Sequence, residues 1–208
     1  RKVPMALLRT SLRARRTMTT VTAASCLLLG AAAAANAAPQ GELSPPKVLS
    51  AENAFAEAAD IAVRDDGSAV AVWTQTKNGA GPATVQVALQ DSAGRWGQPT
   101  TLSESTSNAQ RPAVATNGHD VAVTWEQGSA KGSRIMVAEF DGTWAKPQLI
   151  SSSGATNPEL VVNAKGTTSV TWLHNSKNAP TSVEFAQETT AGKFRAQQLT
   201  KKSESAVS

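Results

Sequence analysis

The sequence lacks tyrosine entirely and has only one cysteine, Cys26, near its N-terminus. From residue 38 onward there is neither a disulfide nor a thiol nucleophile, so stability must come from packed cores. Its two histidines, His119 and His174, are far apart and match no H-x-H or H-x-x-x-H spacing, so we predict no metal site. No helix-period hydrophobic pattern follows residue 37 either. These absences exclude disulfide-rich scaffolds, thiol enzymes and helical folds.

The first 37 residues have the pattern of a secretory signal peptide. A basic region (9–16) precedes an apolar run (21–35), and Ala35-Asn36-Ala37 is a small-x-small cleavage site. We therefore expect a secreted, extracellular bacterial protein, exported by either the general or the twin-arginine route. Six of the 20 basic residues and none of the 16 acidic residues lie in this segment. The pI of about 9.5 is thus no evidence for nucleic-acid binding.

A repeated phrase ends at Trp73, Trp125 and Trp172. Each tryptophan follows an apolar run, a turn glycine and a short β-forming run. The copies are about fifty residues apart, which is the period of stacked supersecondary units such as propeller blades. The repeat therefore predicts the fold before any single motif does.

Each repeat divides into four short runs with alternating apolar and polar residues, separated by Gly, Asn and Asp turns. Such units predict an all-β chain of β-propeller blades, each with four antiparallel strands. The core tryptophans are interpreted as packing between blades. The predicted blades are 59–103, 111–151 and 158–200.

The remaining segments complete the predicted organisation. Residues 38–45 are expected to form a flexible leader and residues 201–208 a tail, on either side of propeller repeats spanning 46–200. Residues 46–50 match the last strand of a repeat and are predicted as a lone strand. Three blades do not close a ring, which takes about four to eight. The chain is then either a fragment of a longer, partial or open propeller, or a half-ring that closes by dimerising.

The repeats also have a family resemblance. "Val-x-x-Asp-x-Gly…Val-x-Val-Trp" followed by "Gly-x-Trp-x-x-Pro-x-x-Leu-Ser" resembles secreted bacterial β-propeller proteins with sialidase-like, or bacterial-neuraminidase-like, repeats. The resemblance covers nearly all of 46–200 and implies the propeller fold. The Ser-x-Asp-x-Gly-x-x-Trp box of that group is not matched. Its enzymes use a tyrosine nucleophile and an arginine cluster, and this sequence has neither.

The acidic residues are the remaining candidates for catalysis. Glycoside hydrolysis needs two carboxylates about 5–10 Å apart. Asp60, Glu126 and Glu159 are candidates by type, but they are interpreted as solvated turn acids. Asp65-Asp66-Gly67 is interpreted as a β-turn and not a calcium loop. We therefore predict no catalytic, cofactor-binding or metal-binding residue and no cofactor.

The sequence favours a secreted, non-enzymatic propeller module that binds a glycan or an extracellular protein. Its ligand would contact the loops Asp65–Ser68, Asn117–Asp120 and Lys165–Thr168, or else the opposite-face segments after each tryptophan. One alternative is part of a sialidase-like glycoside hydrolase or lyase, with catalytic residues partly in missing blades. Another is a structural or tethering segment. We also expect self-association through open blade edges, no nucleic-acid partner, and no membrane contact after signal cleavage.

Overall fold

The computed structural model describes residues 46–177 and 179–200, and the predicted signal peptide, leader and tail lie outside them. The elements of the described residues are all strands, and no helix long and apolar enough to cross a membrane is found among these residues. The strands are β1 (Ala54–Val63), β2 (Ala69–Lys77), β3 (Ala80–Gln90), β4 (Thr100–Thr101), β5 (Ala109–Thr116), β6 (Val121–Gln127), β7 (Arg134–Phe140), β8 (Gln148–Leu149), β9 (Ala155–Val162), β10 (Thr168–Ser176), β11 (Ala179–Glu188) and β12 (Phe194–Gln198).

These strands form three four-stranded antiparallel sheets. Strands β1–β4 make blade 1, β5–β8 make blade 2 and β9–β12 make blade 3, and in each blade every strand pairs with its neighbour in the chain. Short Gly- and Asn-containing turns join consecutive strands, which produces this meander. The predicted all-β fold of propeller-type blades is confirmed.

Residues 46–50, predicted as a lone strand, are irregular in the structure. They have no strand pairing within the described part of the chain, and an isolated strand cannot satisfy its backbone groups. The segment nevertheless lies against blade 1. Leu49 and Trp73 line one shallow cavity, and Lys47 Nζ donates to the Trp96 carbonyl at 3.1 Å.

The hydrophobic core lies between blades. In the first cluster, valines of β2 and β3 pack against Trp125 of blade 2. In the second, Ile135 and Val137 of blade 2 pack against Trp172 of blade 3. The three repeat tryptophans are buried, which confirms their interpretation as core residues. Each large indole thus buries apolar area that a short strand could not supply alone.

The innermost strand of each blade has a bulge near its start. The register shifts are accompanied by a positive φ at Ala58 (50°), Arg111 (49°) and Asn157 (53°). Bulges re-aim side chains and interrupt the ladder. At the bulge of blade 3 the Asn157 amide reaches Glu126 of the preceding blade, and at the bulge of blade 2 the Arg111 side chain reaches the same carboxylate.

Candidate functional site

Glu126 lies at the junction between blades 2 and 3. It follows Trp125 on β6 and is 0% exposed. Its Oε1 accepts hydrogen bonds from Arg111 Nη1 at 2.9 Å and from the Asn157 amide at 2.7 Å. Its Oε2 accepts from Gln110 Nε2 at 3.0 Å. The carboxylate therefore holds the bulge of blade 2 and the bulge of blade 3 at once.

The interpretation of Glu126 as a solvated turn acid is wrong. Successive residues of a strand point to opposite faces, so Trp125 points towards blade 1 and Glu126 away from it, towards blade 3. A buried carboxylate is tolerated here because a guanidinium and two further donors satisfy it. Asp60 and Glu159 are exposed but lie inside strands β1 and β9, not in turns. Asp60 Oδ2 accepts from the Val114 amide at 2.9 Å, a second tie between blades.

His174 forms a second polar cluster at the same junction. Its Nδ1 lies 2.8 Å from Glu184 Oε1 and 3.2 Å from Ser152 Oγ. Glu184 Oε2 also accepts from the Trp172 indole at 2.8 Å. Because the carboxylate only accepts, the neutral tautomer that fits this contact has its proton on Nδ1 and its lone pair on Nε2.

The Nε2 atom of His174 has no hydrogen-bond partner among the described residues. The atom is not fully buried, so solvent can reach it. The side chain is 22% exposed. Solvent, or a ligand, therefore reaches the basic nitrogen of an imidazole whose other nitrogen is held by a carboxylate.

Comparison among the repeats shows that this cluster belongs to blade 3. In blades 1 and 2, the core indole donates at 3.1 Å to the glutamine two residues later, Gln75 or Gln127. In blade 3 that position is His174, and the indole donates to Glu184 instead. Aligning the repeats on their tryptophans would have revealed this substitution in the sequence.

The Arg111–Glu126 pair is likewise specific to blade 2. Strand register places Ala58 and Thr74 at the matching positions of blade 1, and neither can carry charge. The two clusters meet at the start of β9, where Ala155 pairs with His174 and the Asn157 amide binds Glu126. We call Arg111, Glu126, His174, Glu184 and Ser152 the junction site.

The loops predicted to contact ligand lie at the opposite end of the blades, and their polar groups are engaged in turns. The Ser68 hydroxyl and amide donate to Asp66 and lower its carboxyl pKa. His119 and Asn117 likewise lower the pKa of Asp120. The turns are linked between blades as well, through a 3.0 Å bond from the Asp65 amide to the Gly118 carbonyl.

Beside these turns, an acidic cavity of about 240 Å³ lies between blades 2 and 3. Burial raises the pKa of Glu139 above its usual value, and the neighbouring Glu188 and Asp120 add to the effect. Thr168 Oγ1 donates to Glu139 at 2.6 Å, which opposes it. Within the described ranges, no group of three or more His, Cys, Asp or Glu side chains is arranged to hold a metal ion.

No protein-family model matches this chain, and no curated protein matches it. Among solved structures it is similar to an ulvan lyase, a polysaccharide lyase bound to a saccharide of GlcA and sulfated Rha. The TM-score is 0.51 at 10% identity, over 68% of this chain and 43% of that one. The same enzyme without the named saccharide gives a TM-score of 0.50 at 9% identity, with the same coverage.

A family 117 glycoside hydrolase from the marine bacterium Zobellia galactanivorans gives a TM-score of 0.46 at 10% identity, over 71% of this chain and 56% of that one. The chain spans less than half the length of the ulvan lyase. At these identities, the likeness to the lyase shows a shared propeller-like fold.

The comparison overturns the prediction of a non-enzymatic binding module. The ulvan lyase, which shares the fold, is an enzyme that acts on a glycan, and this agrees with the glycan-active alternative and not with the main prediction. No pattern in the sequence shows which of its separated polar residues come together. The polar groups of the junction site come from two blades and meet only after folding. The sialidase-like resemblance is supported as far as the propeller-like fold.

Proposed function

We propose that this chain is part of a polysaccharide lyase, an enzyme that cleaves a uronate-containing glycan by elimination. The observation that carries the proposal is His174, with Nδ1 bound to Glu184 at 2.8 Å and Nε2 open to a ligand. The shared fold with a polysaccharide lyase supports it.

The chemistry requires a base that removes the proton next to the uronate carboxyl group. Nε2 of His174 takes that proton, while the Nδ1–H bond to Glu184 stabilises the resulting imidazolium. The electron pair of the broken C–H bond forms a C=C bond. The glycosidic C–O bond breaks as that C=C bond forms, and the leaving oxygen takes up a proton from water. One oriented imidazole therefore accounts for the proton-abstraction step.

The three acidic residues considered for hydrolysis in the sequence, Asp60, Glu126 and Glu159, do not form the carboxylate pair of a hydrolase. A glycoside hydrolase needs two carboxylates that face one glycosidic bond. Glu126 is buried and engaged by three donors. Asp60 lies on the inner strand of blade 1 and Glu159 on the inner strand of blade 3, and blade 2 lies between those two blades in the chain. Export, predicted from residues 1–37, fits a polymeric substrate outside the cell.

The test is to incubate the full chain with several polyuronates and to follow the ultraviolet absorbance of the unsaturated product. We expect cleavage, and a loss of about 100-fold or more in kcat/KM for His174→Ala. His119→Ala is the matched control, because His119 is exposed at the opposite end of blade 2 and should leave the rate unchanged. New reducing ends without ultraviolet absorbance, or no cleavage of any polymer, would refute the lyase.

A further inference from the structure

We infer that Arg111 binds an anionic group of the glycan, a carboxylate or a sulfate ester, at the junction site. The inference rests on the proposed function for the nature of the polymer. The recognition itself is argued from the position, anchoring and free donors of one guanidinium.

The position of Arg111 is set by the backbone. It lies in the bulge of β5 with a φ of 49°, a conformation that side-chain-bearing residues seldom adopt. The following residue, Pro112, is buried and fixes the chain direction beyond the bulge. The same bulge occurs at Ala58 and Asn157 in the other blades, so it is a feature of the repeat, and in blade 2 it fixes where Arg111 lies on β5.

The Glu126 carboxylate also holds the guanidinium in place. Nη1 donates to Glu126 at 2.9 Å, and that carboxylate is wholly buried and tied to the Asn157 amide. An arginine held by a buried carboxylate loses less side-chain entropy on binding a ligand than a free one. The Glu126 contact therefore pre-organises Arg111.

The remaining donors of Arg111 are available. Only Nη1 has a protein partner among the described residues, and the side chain is 57% exposed. This exposure does not come from an open end of the arc, because Arg111 belongs to the middle blade and has a blade on either side. The unused N–H groups form the planar fork that matches a carboxylate or a sulfate.

Neighbouring residues place this fork at the same junction as the proposed base. Asn157, which shares the Glu126 carboxylate with Arg111, is two residues from Ala155, and Ala155 pairs with His174. A polysaccharide bound along the junction would contact both. Arg111 would then be a binding residue for the reaction in which His174 moves the proton.

The experiment measures equilibrium binding of the full chain to three polymers: dextran, dextran sulfate and polygalacturonate. Dextran and dextran sulfate share a backbone and differ in sulfate, whereas polygalacturonate tests carboxylate. We expect binding to at least one anionic polymer and none to dextran. Arg111→Gln and Arg111→Lys should each weaken it about tenfold or more, since lysine lacks the fork. Arg95→Gln is the control, because Arg95 pairs with an exposed aspartate elsewhere.

Arg111→Gln leaves the buried carboxylate of Glu126 without its cation, which could unfold blade 2. Binding is therefore also measured for the double variant Arg111→Gln/Glu126→Gln, in which no buried charge is left unpaired. A thermal melt checks that each variant is folded. A folded double variant that binds as tightly as the wild type would overturn the inference, as would equal binding to dextran. Cleavage with an unchanged KM in Arg111→Lys overturns the inference and leaves the lyase intact. Arg111-dependent binding without any cleavage refutes the lyase and supports the anion site.

Discussion

At the residue scale, Glu126 is where the middle blade, its arginine and the third blade meet. Replacing it with alanine leaves the Arg111 guanidinium and the Asn157 amide without their acceptor. We expect Glu126→Ala to cost about 1–3 kcal/mol of unfolding free energy, because it leaves hydrogen-bond donors unsatisfied, and Glu126→Gln less, because the amide oxygen still accepts. Urea denaturation measures both. Glu104→Ala, at an exposed position, should change little, and an equally small loss for Glu126→Ala would refute the structural role.

Glu139 provides a pH-dependent prediction. Burial raises its carboxyl pKa, so the protonated form is favoured in the folded state and the ionised form is disfavoured. The cost of ionisation is absent at pH values below the pKa of the unfolded chain and is fully developed above the raised pKa.

Glu139→Gln should therefore raise Tm at neutral pH, by on the order of 2 °C, and the gain should vanish in acid. The glutamine oxygen can still accept from Thr168. Differential scanning calorimetry across pH tests this, with Glu104→Gln as the exposed control. A gain that persisted at low pH would show that charge is not its cause.

Some features at the residue scale can be predicted from the sequence, and others cannot. Period-two alternation located strands, and the repeated tryptophans indicated core positions. Nothing adjacent in sequence indicates that Glu126 meets Asn157, 31 residues away on another blade. His174 was within reach, because the position two residues after the core tryptophan is glutamine in the other two repeats.

At the element scale, the crossing from β8 to β9 depends on a glycine with no room for a side chain. Gly154 has a φ of 95°, and a Cβ there would lie 2.5 Å from the Asn175 backbone carbonyl oxygen. Gly67 also has a positive φ, 79°, but a Cβ there meets nothing within 4 Å. The pair separates the cost of backbone conformation from the cost of a clash.

We expect Gly67→Ala to cost about 1–2 kcal/mol through its φ alone, and Gly154→Ala to cost clearly more. Because the Asn175 amide donates to the Gly154 carbonyl at 2.9 Å, the clash should also shift β10 beside His174. Chemical denaturation gives the stabilities, and amide hydrogen exchange on β10 locates the disturbance. Equal costs for the two variants would contradict the clash.

The bulges were the elements that the sequence analysis did not predict. Arg111-Pro112 and Asn157-Pro158 are X-Pro pairs inside apparent strands, and proline there is a known sign of a bulge. Blade 1 has Ala58-Ala59 at the same place and still forms the bulge. Its cause is therefore the packing of one blade on the next, which no local pattern records.

At the scale of the whole molecule, structurally equivalent positions in the three blades differ in solvent exposure on one face of blade 1. Strand pairing aligns Ala56 with Ala109 and Ala155. The latter two are fully buried against the preceding blade, whereas Ala56 is exposed. Likewise Val114 is buried, but the equivalent Ile61 is 57% exposed. Blade 1 thus presents the apolar face that blades 2 and 3 bury.

Blade 3 presents the complementary face. Leu102 and Ile150, which end blades 1 and 2, pack into the clusters around the next tryptophan. Leu199 occupies the same place in blade 3 and is 54% exposed. Two faces that fit each other within the arc should also fit between copies, since a head-to-tail contact repeats an existing interface.

We therefore expect the purified chain to self-associate as its concentration rises, and Ile61→Glu/Leu199→Glu to shift it to the monomer. A charge on either face would have to be desolvated to form the contact. Leu149→Glu is the control, because Leu149 is 50% exposed on the outer strand of blade 2. Light scattering after size exclusion at several concentrations measures the mass. A wild-type monomer throughout, or an equal effect of Leu149→Glu, would show that these faces do not pair between copies.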